Sequence, residues 1–165
     1  MKRSRNKTSS RKRTFSKPEA EAAIARYCSY QERTIGEVRR KLGAMNVESE
    51  VAEEIIARML SQGFIDEYRY ADAFMRGKFN QAKWGRLKVI NSLKRKGLSL
   101  DLAKQTFNRF GDGEYRRLAA NLARKKYDEL NDDNKIIKKH KTARFMISRG
   151  FENSLIWEIL NDDSF

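Results

Sequence analysis

The side chains best able to do chemistry in this chain are its cations, and what cations at this density can do is hold an anion. Residues 73 to 100 contain Arg76, Lys78, Lys83, Arg86, Lys88, Lys94, Arg95 and Lys96 and no Asp or Glu. Residues 134 to 151 contain Lys135, Lys138, Lys139, Lys141, Arg144 and Arg149, again without an acid. Residues 1 to 17 add eight further cations and no acid. Opposite charges three or four residues apart on a helix neutralise one another, and neither internal run supplies them from within itself. Unpaired like charge repels, so it is expected to serve a polyanionic partner. The contact candidates are Arg76, Lys78, Lys83, Arg86, Lys88, Lys94, Arg95, Lys96, Lys138, Lys139, Lys141 and Arg144. Trp84, next to Lys83, either stacks on a base or anchors the fold.

Other chemistry is sparse. His140 is the only histidine and lies in a Lys-rich stretch; a metal site or a Ser-His-Asp triad would need more partners than this, and His140 reads as an ordinary surface residue. Cys28 is the only cysteine and sits in an apolar helix, where packing is its expected role. No Gly-rich loop ends in Gly-Lys-Ser or Gly-Lys-Thr. Glu53 and Glu54 are adjacent, and adjacent helix positions point in different directions. No catalytic, metal or cofactor site is expected, and the chain reads as a binding protein.

Charge and length fit that reading. The 165 residues carry a formal net charge of +14, with 39% hydrophobic and 35% charged residues. No apolar run approaches the roughly 20 residues that span a bilayer, and the basic start lacks the apolar stretch of a secretory signal. With one cysteine there is no internal disulfide, so a cytosolic location is expected, with no membrane partner and a monomeric state.

The elements that must position these cations are helices. Residues 1 to 15 are poor in apolar side chains and are expected to be a disordered basic tail. Ser16 with Glu19, and Thr34 with Glu37, have capping-box spacing. They open helices from about Lys17 to Gln31 and from Thr34 to about Gly43. Ser49, Asp66 and Ser99 are read as caps of later helices, and Gly63, Gly97 and Gly150 as stops. Further helices are expected over Gly85 to Lys96, Asp112 to about Leu130, Asp133 to Ser148, and Asn153 to Leu160. No alternating stretch suggests a strand. One pattern recurs three times. Val38, Val89 and Thr142 align, and with them Leu42, Leu93 and Met146; Val47, Leu98 and Phe151; Val51, Leu102 and Leu155; Ile56, Phe107 and Leu160. A spaced recurrence of this kind marks stacked helical repeats. The expected architecture is all-α: an elongated array of three tandem three-helix repeats over residues 16–63, 64–110 and 111–165.

The segment from Gly63 to Leu98 resembles a known family. Its Gly63-Phe64-Ile65-Asp66 start, followed by Arg69-Tyr70-Ala71 and Phe74, is similar to the central signature of RecX, the bacterial modulator of the RecA recombinase. Gly85, Lys88, Val89, Leu93, Lys96 and Gly97 match the pattern that follows. Thr34, Glu37, Lys41 and Leu42 match the first-repeat pattern. The resemblance covers about residues 20 to 160 and is weakest in the third repeat. It implies a regulator that binds the RecA–single-stranded-DNA filament and limits recombinase, ATPase and co-protease activity. The partners it implies are RecA and single-stranded DNA. The residues themselves leave open a general DNA- or RNA-binding protein, or a helical scaffold whose charge serves solubility. Gly63, Asp66, Tyr70, Ala71, Phe74, Gly85, Leu93 and Gly97 read as architectural. Arg69 reads as one half of a buried ion pair with Asp66 or Asp72, or as a ligand contact.

Overall fold

The computed structural model describes residues 15–108 and 111–162, so the expected tail, apart from Phe15, lies outside the described residues. These residues form nine helices and no strand: α1 (Lys17–Tyr30), α2 (Ile35–Ala44), α3 (Ser49–Ser61), α4 (Glu67–Asn80), α5 (Arg86–Arg95), α6 (Leu100–Asn108), α7 (Asp112–Asp128), α8 (Lys135–Arg149) and α9 (Asn153–Leu160). Each successive set of three packs together, giving three tandem three-helix domains. The chain divides into two compact units, residues 1–66 and 67–165, the second holding two of the three domains.

The repeat is carried by its middle helices, α2, α5 and α8. Val38, Val89 and Thr142 have no exposed surface, and neither do Leu42, Leu93 and Met146. Ile56, Phe107 and Leu160 on the third helices are also buried, at 3%, 2% and 0% exposure. After each middle helix the same hydrogen bond closes the turn: Val47, Leu98 and Phe151 donate their N–H groups to the carbonyls of Leu42, Leu93 and Met146, each at 3.2 Å. This is the six-to-one bond of a Schellman end, which requires a left-handed residue just before the donor. Gly97 and Gly150 fill that place with φ of 95° and 86°, and Asn46 fills it in the first repeat with φ of 56°. Asparagine tolerates that region better than other side chains, so the first repeat keeps the turn without glycine.

Several boundaries differ from expectation. Ser49 is the first residue of α3 and Glu48 precedes it as the cap position. The repeat register already places Glu48 opposite Ser99, whose hydroxyl accepts from the Leu102 N–H at 3.1 Å. Asn134, not Asp133, caps α8, its side chain accepting from the Ile136 and Ile137 N–H groups. α7 ends at Asp128, two residues early. The expected first capping box is present between Ser16 and Glu19, and the Glu19 carboxylate accepts from both the N–H and the hydroxyl of Ser16. The second is complete, with Thr34 and Glu37 bonded reciprocally at 3.1 Å.

The first unit has a core of its own, built on Ile24, Val38, Leu42 and Ile55, all without exposed surface. A single three-helix repeat therefore buries an apolar face of its own. The second unit has one continuous core. Phe79, Val89 and Leu93 from the second repeat and Met146, Phe151 and Ile156 from the third belong to one cluster.

Candidate polyanion-binding surface

The surface is organised around the joint between the second and third repeats. Gly85 stands at the N-cap of α5, the position Thr34 holds for α2. A helix start leaves N–H groups without partners. α2 satisfies its own with Thr34. At α5 the third repeat does so: the Gly85 N–H donates to the Arg149 carbonyl at 2.8 Å, and the Leu87 N–H to the Gly150 carbonyl at 3.0 Å. The Arg86 N–H donates to the Tyr115 hydroxyl at 2.9 Å. The end of α8 thus serves as the cap of α5.

Tyr115 locks this joint from below. Its ring stacks between Phe79 and Phe151, with centroids 5.6 Å away on each side. Its hydroxyl donates to Glu152 at 2.5 Å. Burial pushes the phenol above its ordinary range, and the Glu152 carboxylate pushes in the same direction. The Arg86 side chain lies over the Tyr115 and Phe107 rings at 4.9 and 5.6 Å and pairs with Asp112 and Glu152 at 3.0 and 3.4 Å. Arg86 is therefore half-buried and held at the joint by acids that the linear sequence places far away.

Other contact candidates are similarly occupied. Arg76 pairs with Asp72 one turn before it at 2.8 Å, and Lys141 with Asp132 at 2.9 Å. Lys78 and Lys88 approach the half-buried Trp84 ring at 5.0 and 4.8 Å, and the Lys88 ammonium donates to the Ser148 carbonyl. Lys96 lies over both Tyr70 and Phe74 at 5.6 Å, and these two rings stack at 6.2 Å. Lys138 lies over Tyr127 at 4.3 Å. Cation–ring contacts of this kind orient a lysine without neutralising it. Arg95 donates to the Ser92 hydroxyl at 3.0 Å and stays exposed. Lys94 and Arg144 are exposed as well, and Lys139 is half-exposed.

Between α5 and α8 these cations border a groove lined by Leu87, Lys88, Asn91, Arg95, Ile147 and Phe151. Leu87 and Ile147 are unusually open for aliphatic side chains, at 47% and 51% exposure. Helical spacing puts Lys94 one turn beyond Asn91, and Arg144 one turn before Ile147. The sequence reading did not foresee the cations of α7. Arg116, Arg117, Arg124 and Lys125 are exposed there. Acids at Asp112, Glu114 and Asp128 masked them in a search for acid-free runs, whereas Arg117 and Lys125 are eight residues apart and share a helix face.

The signature residues are mostly architectural. Tyr70, Ala71 and Leu93 are in the core, and Phe74 packs against it. Gly63 follows α3 with φ of 73°, and Asp66 immediately precedes α4. Arg69 is exposed rather than buried, and Asp72 bonds Arg76. His140 is exposed, edge-on to Trp157 at 5.2 Å. Cys28 is buried, and that burial pushes its thiol up, away from the reactive thiolate. Among the described residues, no three His, Cys, Asp or Glu side chains converge as a metal site would require, and no helix is long and apolar enough to cross a membrane.

Comparison with known proteins gives the same division into domains along the sequence. The family models for the first, second and third three-helix domains of RecX match residues 20–59, 66–106 and 114–160. The chain is 29% identical over 141 residues to the regulatory protein RecX of Lactobacillus delbrueckii subsp. bulgaricus, covering 84% of this chain and 51% of that protein. It is 25% identical over 137 residues to the regulatory protein RecX of Limosilactobacillus reuteri, covering 83% and 52%. The chain thus spans about half the length of these curated relatives. In fold it is similar to the crystal structure of RecX from Lactobacillus salivarius, with a TM-score of 0.83, 24% identity, and coverage of 88% of this chain and 95% of that one. Three consecutive domain matches, in order and over most of the sequence, place this chain in the RecX family.

Proposed function

We propose that this chain binds the RecA–single-stranded-DNA filament and modulates it, mostly by inhibition of recombinase, ATPase and co-protease activity. It acts as a cytoplasmic, monomeric binding protein without catalysis of its own. The observation that carries the reading is the combination of three RecX domains with a cation-bordered groove between α5 and α8. In this reading Lys94, Arg95 and Arg144 meet phosphates or acidic side chains. Lys78, Lys88 and Lys96, held against rings, keep their charge fixed nearby. Arg86 holds the joint and makes no direct contact.

The deciding experiment measures ATP hydrolysis by RecA on saturating single-stranded DNA, with and without this protein, together with co-sedimentation with filaments. Slower hydrolysis and co-sedimentation are expected. An unchanged rate with no co-sedimentation overturns the reading. The exposed cations also support a second one, general binding to DNA or RNA without RecA. It would appear as tight binding to bare nucleic acid that falls steeply with salt.

A further inference from the structure

A second cavity lies against α7, away from the groove between α5 and α8. A cavity of about 350 Å³ is lined by Lys83, Glu114, Arg117, Leu118, Asn121, Leu122 and Lys125. Its lining is more apolar than polar, because Leu118 and Leu122 present the free edges of side chains otherwise packed on the core. Three cations stand around that aliphatic floor against one acid, Glu114. Among the described residues, Lys83, Arg117 and Lys125 are the lining cations, and none has an ion-pair partner.

Lys83 brings an independent observation. Its φ is 53°, in the left-handed region, where a lysine is strained. The only other non-glycine residue there among the described ones is Asn46, whose place the Schellman turn explains. Lys83 also precedes a helix-closing donor, the Trp84 N–H bonding the Lys78 carbonyl at 3.1 Å after α4, yet it is neither glycine nor asparagine, and its register counterparts Glu32 and Ile136 do not share its conformation. A turn needing only left-handed backbone is best served by glycine. Strain retained on a charged side chain at a cavity rim marks a place where the side chain is used.

We infer that this cavity receives an acidic segment of a protein partner, with one apolar side chain of that segment seated on Leu118 and Leu122 and its carboxylates meeting Lys83, Arg117 and Lys125. The rim fits either a carboxylate or a phosphate. The floor decides between them, since it offers aliphatic carbon and no aromatic face on which a base would stack. The inference rests on the reading of the chain as a protein-binding regulator, but its test needs no filament.

The probe is a short fluorescein-labelled peptide of Asp and Glu around one central Leu, titrated into the full chain. In parallel, amide shifts of the isotopically labelled wild-type protein are followed. Shifts centred on Lys83, Arg117 to Leu122 and Lys125 are expected. Replacing the central Leu by Ser is expected to weaken binding roughly tenfold. Lys83→Gly, which relieves the backbone, is expected to keep or raise the melting temperature while weakening the peptide. Arg117→Glu and Lys125→Glu are expected to weaken it too. The proposal is overturned if the Leu-free peptide binds equally well, if the shifts fall elsewhere, or if Lys83→Gly leaves affinity intact. It is also overturned, in favour of nucleic acid, if oligothymidylate displaces the peptide and shifts the same residues. Slowed RecA hydrolysis without peptide binding would reject this site alone and leave the filament reading standing.

Discussion

Gly85 and Gly150 meet backbone to backbone. A Cβ added to Gly85 would lie 2.3 Å from both the carbonyl carbon and the carbonyl oxygen of Gly150. No side chain fits there, and none is needed, because the Gly150 carbonyl itself accepts from the start of α5. The φ of Gly85 is −78°, so it is the close approach that demands glycine, not the conformation. The same contact explains why the second repeat lacks the Thr34 cap of the first.

Gly85→Ala is therefore expected to destabilise the second unit by about 3 kcal/mol, at the upper end for an overpacked site, since backbone on one side must move. Gly77→Ala, in the interior of α4 with nothing within 4 Å, is expected to stabilise by about 1 kcal/mol through helix propensity. Urea unfolding of the two variants beside the wild type checks the contrast. Equal effects would mean that the Gly85 contact is not tight in solution.

Thr142 occupies the valine slot of the third repeat. It has no exposed surface, and its hydroxyl has no hydrogen-bond partner among the described residues. A buried, unpaired hydroxyl costs about 1–3 kcal/mol. Thr142→Val, which restores the residue found at positions 38 and 89, is expected to raise stability by about 1 kcal/mol with function unchanged. A loss of stability would show that the hydroxyl is bonded in solution.

Tyr115→Phe keeps the stacked rings but strands the Arg86 N–H and Glu152. It is expected to cost about 2 kcal/mol. It also tests the titration. Burial and Glu152 raise the folded-state pKa of Tyr115 above its unfolded value of about 10. The stabilisation that goes with this is complete below about pH 10 and is lost as pH rises from there through the folded value. Wild-type stability should fall more steeply above pH 10 than that of the Phe variant. Lysines titrate in the same range in both proteins, so the difference isolates Tyr115.

Lys94→Gln, Arg95→Gln and Arg144→Gln together should weaken co-sedimentation with RecA filaments while leaving helical circular dichroism intact. Gln is chosen because Glu at the end of α5 would oppose the helix dipole by about 0.3–1 kcal/mol. If these residues meet phosphates, each lost contact lowers the salt slope of DNA binding by roughly one unit. If they meet acidic side chains, filament binding falls while affinity for bare DNA stays put. Normal filament binding by the folded triple variant would exclude this groove.

The sequence by itself determined the helices, their repeat and much of their ends. Apolar spacing at Val38, Leu42 and Ile56 and its two recurrences sufficed, because helix burial is periodic and local. Caps at Thr34 and stops at Gly97 and Gly150 were legible for the same reason: their hydrogen bonds close within a few residues. What only the tertiary structure decided was which charges remain available. Arg86 looks free in an acid-free run, yet it pairs with Asp112 and Glu152, 26 and 66 residues along the chain. Arg117 and Lys125 look neutralised among nearby acids, yet they stand unpaired beside Lys83. Charge pairing depends on distance in space, and distance between helices is fixed by contacts such as Gly85 against Gly150 that no local pattern encodes.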